Sequence, residues 1–583
     1  MKLPNLLGTK NGRLSAFFFL YMTEGIPLGF AATAVATQLR RMGVGPAEIG
    51  AFVAAFYLPW AFKWAFGPLV DVFRSERFGH RRAWILGTQV MMAATLAVLV
   101  FLKLPDQLAL FTAILLLHNT FAAMQDVAID SLACNVLHED ERGLANGLMF
   151  AGTAVGQAVG GSGVLFLMPY IGFQSSFIFV ALCILAVTGL VVLPMKEALV
   201  QATADTVNKA GSGLRHAAGE MRDFAIAAFR SFLGTRGAYA GVFFALLPAG
   251  AMSLSLALQS NLSVELGLDD DQVAWLQLFS TISSAVSMVI GGLLSDRLGR
   301  RSVLSVSILL MSLPVLYLMM ILQQHGYVMP RAPGSGGSVA PALVTALWVA
   351  TIAFNIFLGL MYGVRSALFM DVTNPKVAAT QFTAYMALMN LAIAYTATWQ
   401  GLAIEAWGYP ITLAVDAALG LACLALLPLI KKAANADEQM GDAHAPRRAA
   451  RSAFGLGLLC LSWLPFWAFR ADTGAAEPIF NTFFTLIFVV AALFMLAGRE
   501  VLGAAAGALL RRASLWLAPL LLALYLRKYL DALAAWSAPL LSKPVFLSLA
   551  EGVIYAVPLL AGALLILYAR CNWLTLAPVK PQQ

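Results

Sequence analysis

The sequence predicts an all-α polytopic membrane protein built from two six-helix halves, with about four extra membrane segments at its C-terminus. Its 583 residues are 60% hydrophobic and only 12% charged, with a mean hydropathy of +0.79, whereas soluble domains are about half apolar and a quarter charged. Apolar stretches of about 20 residues, the length that crosses a bilayer as a helix, recur from Leu14 onward. A short pattern also recurs at corresponding places in two six-span blocks, which predicts a duplicated bundle.

Hydropathy and loop charge place the membrane spans. The first half has stretches near residues 14–36, 47–70, 83–103, 108–132, 144–168 and 174–194. The second half has stretches near residues 238–260, 272–295, 302–323, 341–366, 379–401 and 410–430. The predicted domains are therefore an N-terminal half (1–195), a cytoplasmic linker (196–236), a C-terminal half (237–430), a cytoplasmic loop (431–451) and extra membrane segments (452–583).

Four further apolar stretches follow the second half, near residues 452–470, 479–497, 513–531 and 546–569. Arg511 and Arg512 interrupt the run that begins at Val501. Because a run this short cannot cross a membrane alone, residues 501–510 are expected to be re-entrant or interfacial.

Basic residues cluster in alternate loops, so the formal net charge of +8 does not indicate a nucleic-acid partner. Counting Lys and Arg near the span ends places the N-terminus in the cytoplasm. Arg40 and Arg41 fall in an outer loop and are the main exception to this rule. The five cysteines include no C-x-x-C pair, which indicates neither a disulfide framework nor a metal site, and no cofactor is expected.

A loop pattern closes the second and the eighth spans. In each copy a glycine and an acid are followed by a second glycine and arginines. The acid can pair with loop arginines or complement a helix N-terminus, and a contact that breaks and reforms would act as a gate. A fixed salt bridge with only a topological role is the alternative. The predicted cytoplasmic gate consists of Gly67, Asp71, Arg81, Arg82, Gly292, Asp296, Arg297, Arg300 and Arg301.

Ionisable residues within the spans are the candidates for proton coupling. A charged side chain in lipid is costly, so it usually faces a cavity or a partner. Glu24 and Lys63 lie at similar depths on successive spans and can pair, although a static pair that only fixes helix packing is the alternative. Asp126 and Asp130 share one helix face and resist ionising together. Asp130 can instead bind loop arginines at the cytoplasmic mouth.

The fifth span carries a ridge of small residues. Gly152, Gly156 and Gly160 follow one another at four-residue spacing. Such a ridge permits helices to cross closely and to slide. We expect it to form a packing seam between the two moving halves.

Segments around these charges narrow the family. Residues 24–29 (EGIPLG), 63–71 (KWAFGPLVD), 125–130 (QDVAID) and 379–382 (ATQF) resemble the peptide/acetyl-coenzyme A transporter family of the major facilitator superfamily. The superfamily resemblance covers roughly residues 14–430 and implies a major facilitator fold. AmpG-type members imply proton-driven import of anhydro-muropeptides (GlcNAc-anhydroMurNAc peptides) across the bacterial inner membrane for cell-wall recycling. Passage of an acetyl-coenzyme A-like or other organic anion is the alternative.

A sugar-peptide substrate requires aromatic faces, amides and one or two cations in the cavity. A coenzyme A-like substrate would favour a cluster of Arg and Lys, of which only Lys63 and Arg365 are found. Aromatic side chains at helical spacing also suit packing or interfacial anchoring, and Arg365 also suits a topological role near a span end. The substrate-cavity candidates are Tyr57, Trp60, Trp64, Asn119, Gln125, Asn355, Tyr362, Arg365, Gln381, Tyr385 and Asn390.

The expected partners are a small-molecule substrate, protons and the lipid bilayer, without nucleic acid, and the expected state is a monomer. No nucleophile–base pair or phosphate-binding glycine loop is evident, so an enzyme is not expected. A non-transporting membrane sensor or scaffold, which uses the C-terminal segments to hold a partner, is the alternative from another class.

Overall fold

The computed structural model describes residues 5–72, 79–138, 141–197, 213–255, 257–332, 340–373, 378–430, 445–537 and 542–575. Within these ranges all regular secondary structure is helical, and 12 helices are long and apolar enough to cross a membrane. The predicted all-α polytopic fold is thereby confirmed. The chain forms two compact units, of which the first holds most of both halves and the second holds residues 222–241, 372–381 and 429–583.

The first half contributes helices α1 to α6. Pro46 begins α2, where its missing N–H leaves no hydrogen bond unmade, and the Thr9 hydroxyl caps α1 by accepting from the N–H of Gly12 at 3.2 Å. The helices are α1 (Lys10–Arg41), α2 (Pro46–Ala61 and Gly67–Val72), α3 (His80–Leu99), α4 (Leu108–Val136), α5 (Arg142–Ala158 and Val164–Ile171) and α6 (Phe173–Val192).

The second half contributes helices α7 to α12. Asp269 and Gln272 form a capping box at the start of α8, with hydrogen bonds of 2.7 and 3.1 Å. The helices are α7 (Arg236–Leu246 and Ala257–Glu265), α8 (Asp270–Leu298), α9 (Arg300–Gln324), α10 (Pro341–Val372), and the stretch Ala378–Ala422, which bends at Gly408 into α11 (378–408) and α12 (409–422).

Glycines with positive φ repeat at corresponding helix junctions of the two halves. Gly79 before α3 and Gly299 before α9 both have φ of 86°, and Gly172 before α6 and Gly408 before α12 both have φ of 79°. Only glycine adopts this region without strain. The repeat that the sequence predicts is therefore present in the backbone of the loops.

α5 packs against α1 of its own half through glycines. A Cβ added at Gly160 would overlap the carbonyl oxygen of Ile26, and one added at Gly156 would lie 2.5 Å from the carbonyl oxygen of Met22. The two backbones are thus in contact, as small residues permit in membrane helices. The predicted close crossing exists, but its expected place between the halves is wrong because the ridge lies against α1.

We expect Gly160→Ala to lower the melting temperature of the purified protein by several degrees, because the added methyl group forces α1 and α5 apart and overpacking costs about 1–3 kcal/mol. Gly147→Ala, on the same helix, is the matched control, since no described atom lies within 4 Å of its added Cβ. Scanning fluorimetry in detergent measures both. Equal melting temperatures for the two variants would contradict the packing.

Two helices, α2 and α7, are interrupted where the sequence predicts membrane spans. α2 stops at Ala61, and a 3₁₀ turn at Lys63–Ala65 precedes its second part. α7 is broken between Leu246 and Ala257. The stretches predicted as spans near residues 47–70 and 238–260 thus each consist of two helical parts. Backbone groups freed at such breaks must be buried in protein or line a polar cavity.

Asp416 of α12 stabilises the break in α7. Its fully buried carboxylate accepts hydrogen bonds from the N–H groups of Met252 and Ser253, each at 2.9 Å, and from the Ser253 hydroxyl. Gln400 of α11 donates to the other oxygen at 2.7 Å. Because the buried charge is satisfied by these donors, the break is a fixed feature of the fold.

The second unit has its own apolar core. Fully buried Trp463 stacks on Trp467 with ring centroids 5.0 Å apart, and its Nε1 donates to the carbonyl of Ile554 at 3.0 Å. The end of a linker helix (Gly213–Gly234) joins this core through Leu233. The other helices of the unit are α13 (Ala445–Leu461), the short helix Trp463–Ala468, α14 (Glu477–Ala523), the short helix Leu530–Ser537 and α15 (Lys543–Thr575).

α14 is longer than one membrane crossing. Its 47 residues extend about 70 Å at 1.5 Å per residue, more than twice the roughly 30 Å hydrocarbon thickness. Residues 501–510, expected to be re-entrant or interfacial, continue this helix without a break. Residues 513–523 also belong to it, so the predicted third extra span does not begin a new helix. The side chains of residues 498–511 lie outside the described part.

Candidate functional site

Charged residues meet where α2 is interrupted. Nζ of Lys63 lies 2.8 Å from Oδ2 of Asp126 and 3.9 Å from Oδ2 of Asp130. The two acids are one turn apart on α4, so both face the same cation. The side chains of Lys63 and Asp126 are only 14% and 5% exposed. The structure thus brings together these three predicted coupling residues, with Lys63 and Asp126 mostly buried and the Asp130 side chain 49% exposed.

α1 completes this charged cluster with Tyr21 and Glu24. The Tyr21 hydroxyl donates to Oδ1 of Asp130 at 2.5 Å. Glu24 is 8% exposed, and its buried Oε1 has no hydrogen-bond partner. It lies close enough to Lys63 and Asp126 to interact with them electrostatically. The possible ion pair between Glu24 and Lys63 is not formed, because Lys63 is bound to Asp126.

The coupling cluster, defined as Glu24, Lys63, Asp126 and Asp130, holds three carboxylates around one ammonium group. Neighbouring carboxylates resist ionising together, and a nearby ammonium favours the ionised form. A small movement of Lys63 among the acids would therefore change which of them holds a proton. In the described ranges no group of three or more His, Cys, Asp or Glu side chains could hold a metal ion.

Several cavity candidates of the first unit lie around the coupling cluster or along α10. Gln125 Nε2 donates to the Thr23 hydroxyl at 2.9 Å. Asn119 is 1% exposed, and neither its Oδ1 nor its Nδ2 has a hydrogen-bond partner. Tyr57 of α2 and Tyr362 of α10 are within electrostatic range of each other. These groups provide the amides and aromatic faces that a sugar-containing ligand requires.

Other cavity candidates occupy structural positions. Tyr385 is fully buried and stacks on Phe369 with ring centroids 4.7 Å apart. Gln381 belongs to the second unit, where its Nε2 donates to the carbonyl of Ser231 at 3.4 Å. Asn355 donates to the carbonyl of Thr351 on its own helix at 2.9 Å. Trp60, Trp64 and Asn390 are partly buried. The structure therefore does not unite all the candidates in one site.

A second charged site joins the two halves at the end of α1. The Glu265 side chain has no exposed surface, and it accepts hydrogen bonds from Arg40 Nε and Nη2 at 3.0 and 2.5 Å. The hydroxyls of Tyr327 and Tyr409 donate to Glu265 at 2.8 and 2.7 Å, and the N–H of Arg331 donates at 3.1 Å. Burial and the Glu265 carboxylate raise the pKa of Tyr327, so its hydroxyl remains a donor. We name this cluster the Arg40–Glu265 latch.

More exposed contacts flank the latch. Arg41 Nε lies 2.7 Å from Oδ1 of Asp270, with side chains 28% and 26% exposed. Oε1 of Glu405 accepts from the N–H of Ala47 at 2.9 Å, in the first turn of α2, where the helix dipole favours a carboxylate. A Cβ added at Gly401 of α11 would overlap the α2 backbone. The latch therefore closes this end of the bundle together with the α2–α11 contact.

The amino-acid sequence alone does not predict the pairing of Arg40 with Glu265. Arg40 and Arg41 stand out only as exceptions to the positive-inside rule. The available signal is opposite charge in loops at the same end of the other half, where Glu265 and Asp270 lie. Arg40 and Glu265 are 225 positions apart in sequence, so only the duplicated topology could have paired them.

The predicted cytoplasmic gate lies at the opposite helix ends. Arg81 binds Glu197 through its N–H at 2.8 Å and Ser131 through Nε at 3.0 Å. Arg82 donates to the Val192 carbonyl at 3.0 Å. In the second copy, Arg300 Nη1 lies 2.5 Å from Oδ1 of Asp371. Each of these arginines thus binds an element of its own half, and Arg297 and Arg301 are exposed.

The acids of both gate copies, Asp71 and Asp296, have side chains outside the described residues, so their pairing stays a prediction. No described atom lies within 4 Å of a Cβ added at Gly67 or Gly292, whereas a Cβ added at Gly363 of α10 would lie 3.2 Å from the backbone nitrogen of Gly292. At the same end, Arg13 Nη2 lies 2.6 Å from Oε1 of Glu141. The Arg13 guanidinium holds the pKa of Glu141 below its usual value.

The bundle of paired six-helix halves with titratable groups inside it defines a membrane transporter fold. The sequence model of the Major Facilitator Superfamily matches residues 14–252 and 240–577, and the chain belongs to this family. An anhydromuropeptide permease of Escherichia coli K12 is 23% identical over 494 residues, which are 83% of this chain and 94% of that protein. A Rickettsia conorii protein named transporter AmpG 4 is 25% identical over 296 residues, 50% of this chain and 69% of that protein. The predicted AmpG-type resemblance is confirmed.

Solved structures share the fold. The xylose transporter XylE from Escherichia coli, in an inward open conformation, has a TM-score of 0.51 at 11% identity and covers 73% of this chain and 99% of its own. A D-xylose-proton symporter has a TM-score of 0.52 at 12% identity, with coverage of 73% and 99%. The predicted major facilitator fold of a multi-pass membrane protein is confirmed.

Proposed function

We propose that the protein is a proton-coupled secondary transporter that imports anhydro-muropeptides across the bacterial inner membrane by alternating access. The coupling cluster carries this proposal, because it places titratable groups within the spans at an interruption of α2. Interrupted membrane helices commonly form substrate and ion sites in transporters. The similarity to an anhydromuropeptide permease supports the substrate class.

The coupling step is a redistribution of protons among the cluster's acids. With Lys63 bound to Asp126 at 2.8 Å, Asp126 is neutralised, and Glu24 is the acid with an unsatisfied oxygen. We assign the transported proton to Glu24 or Asp130, the two acids that Lys63 does not bind directly. A carboxylate without a bound cation in this environment takes up a proton readily. Movement of α2 relative to α1 and α4 would then release it.

The closed latch indicates which state of the transport cycle the structure represents. The positive-inside pattern places the N-terminus in the cytoplasm and therefore the Arg40–Glu265 latch at the periplasmic face. Because Arg40 is bound to Glu265, the periplasmic face is closed. We therefore assign the structure to a state that is not open to the periplasm. A periplasmic substrate can enter only after Arg40 and Glu265 separate, and each cycle must break and reform this contact.

The distribution of buried cations favours a sugar-peptide over a coenzyme A-like anion. Arg13 and Arg40 are paired with glutamates, and Lys63 is paired with Asp126. Arg365 is the buried cation of the first unit, within the described ranges, that has no carboxylate partner. A substrate with several phosphates would need a cluster of free cations.

Because both halves of the pathway lie in one chain, we expect a monomer to suffice.

A binding competition tests the substrate class. Purified protein in detergent is titrated with fluorescent GlcNAc-anhydroMurNAc-tetrapeptide and then with unlabelled muropeptide or acetyl-coenzyme A at equal concentrations. We expect displacement by the muropeptide and at least tenfold weaker displacement by acetyl-coenzyme A. The opposite order would indicate an organic-anion carrier, and binding of neither ligand by folded protein would support the sensor or scaffold alternative.

A further inference from the structure

A buried arginine of α10 lacks a counter-charge. Arg365 is 2% exposed, and its Nε and Nη2 are buried without hydrogen-bond partners. It lies about two turns before the end of α10 at Val372. Its place inside the helix, rather than at its end, does not fit a residue that only fixes topology by the positive-inside rule.

The other buried arginines of the described ranges are all satisfied. Arg13 pairs with Glu141 at 2.6 Å, and Arg40 pairs with Glu265 at 2.5 Å. Arg448 donates to two carbonyls at the end of the linker helix, each at 3.0 Å. The fold thus provides partners for buried guanidinium groups wherever they serve packing, and Arg365 is the exception.

The surroundings of Arg365 are aromatic and neutral. Its Cζ lies 5.6 Å from the ring centroid of Phe244, a distance that permits a cation–π contact. Tyr362, Tyr395 and Cys423 lie within electrostatic range, and none of them is a carboxylate. Phe244 is in the last turn before the break in α7. Arg365 therefore lies beside an interruption of a helix, as ligand-binding groups of transporters commonly do.

From this geometry we propose that Arg365 binds a carboxylate of the transported substrate. An unpaired charge inside a membrane protein is destabilising unless a partner compensates it. An anion bound beside Arg365 would supply that partner, and the planar guanidinium fork matches the two oxygens of a carboxylate. The peptide part of a muropeptide carries free carboxylates, so the inference rests on the proposed function and identifies which part of the substrate is held.

The geometry favours a carboxylate over a phosphate group. A phosphate carries up to two charges and is usually bound by several cations or by a helix N-terminus. One guanidinium beside aromatic rings neutralises a single charge and leaves apolar faces for the rest of the ligand. The coupling cluster uses its own cation, Lys63, for Asp126. The two halves thus have different roles. The residues of α1, α2 and α4 bind protons, and α10 binds the anionic group of the substrate.

Binding measurements with paired ligands test this site. The ligands are GlcNAc-anhydroMurNAc-tetrapeptide and the same compound with its carboxylates converted to amides. We expect wild-type protein to bind the acid at least tenfold more tightly than the amide, Arg365→Gln to bind both equally weakly, and Arg365→Lys to keep part of the preference. Lys103→Gln, which removes a cation from an exposed loop, is the control and should behave as wild type.

A second ligand pair separates the site from the cargo. N-acetyl-dialanine and its amide carry the carboxylate without the sugar, so an acid preference that Arg365→Gln removes would support the site even if no muropeptide binds. The absence of any acid preference in wild-type protein, with both pairs, would overturn the proposal, as would an acid preference that survives in Arg365→Gln. Without ligand, Arg365→Met should melt no lower than wild type, because it removes an uncompensated charge, whereas a clear loss of stability would show a structural role.

Discussion

Reversing the charge of Arg40 is expected to abolish uptake, and reversing Glu265 in the same protein is expected to restore part of it. Arg40→Glu places a second carboxylate beside the fully buried Glu265. Losing one partner of a buried ion pair costs about 3–5 kcal/mol, which changes a two-state population by a factor of about 150 to 5,000. A carrier that cannot close the face at which the Arg40–Glu265 latch lies cannot complete a cycle, so we expect initial uptake rates to fall at least 100-fold.

The neighbouring pair of Arg41 and Asp270 gives the matched control. These side chains are 28% and 26% exposed, and exposed pairs contribute about 0–1 kcal/mol. Arg41→Glu should therefore reduce uptake only a few-fold. A cysteine at Thr37, which is fully buried near the end of α1, reports the state of this face in a background without native cysteines. It should react with an impermeant maleimide in Arg40→Glu but not in the parent, and an unreactive Thr37→Cys with normal uptake would contradict the latch.

Asp126→Asn is expected to reduce gradient-driven accumulation of the substrate at least 100-fold. It removes the carboxylate that lies 2.8 Å from Lys63 Nζ. Lys63 then pairs with the remaining acids and keeps them ionised, so these acids can no longer take up the transported proton. Uptake into proteoliposomes with and without an inward proton gradient measures the loss. Asp223→Asn, at an exposed pair with Arg222, is the control and should retain full uptake.

The double variant Lys63→Met/Asp126→Asn separates coupling from packing. Removing both charges takes away the penalty of an unpaired buried cation, so thermal stability should return to near the wild-type value. Gradient-driven accumulation should not return, because the Lys63–Asp126 contact that would control the proton on Glu24 or Asp130 is absent. If the double variant instead regained accumulation, the pair would be a static element that only fixes helix packing.

The sequence predicts the duplicated architecture because that information is local. Spans are marked by length and hydropathy, and the loop pattern recurs with Gly79 and Gly299 in the same backbone conformation. Helix breaks are not predictable in the same way. A proline lies near each break, at Pro59 and Pro248, but the break in α7 also depends on Asp416, which lies more than 160 positions away.

Partner identity is the other limit of the sequence. Depth along a span allows Glu24 and Lys63 to meet, but depth does not determine the direction in which each side chain projects, and α4 places Asp126 nearer to the cation. The glycine ridge of α5 likewise identifies a close crossing without its partner. Arg365 is recognisable from sequence as a cation within a span, whereas its lack of a counter-charge is visible only when its neighbours are known.

Uptake of radiolabelled GlcNAc-anhydroMurNAc-tetrapeptide into proteoliposomes, with and without an inward proton gradient, tests the proposed transport most directly. We expect accumulation above the external concentration only with the gradient, its loss on addition of a protonophore, and inhibition by excess unlabelled muropeptide. Equilibration of the label that is indifferent to the gradient, or no entry through protein shown to be folded by its melting curve, would contradict the account.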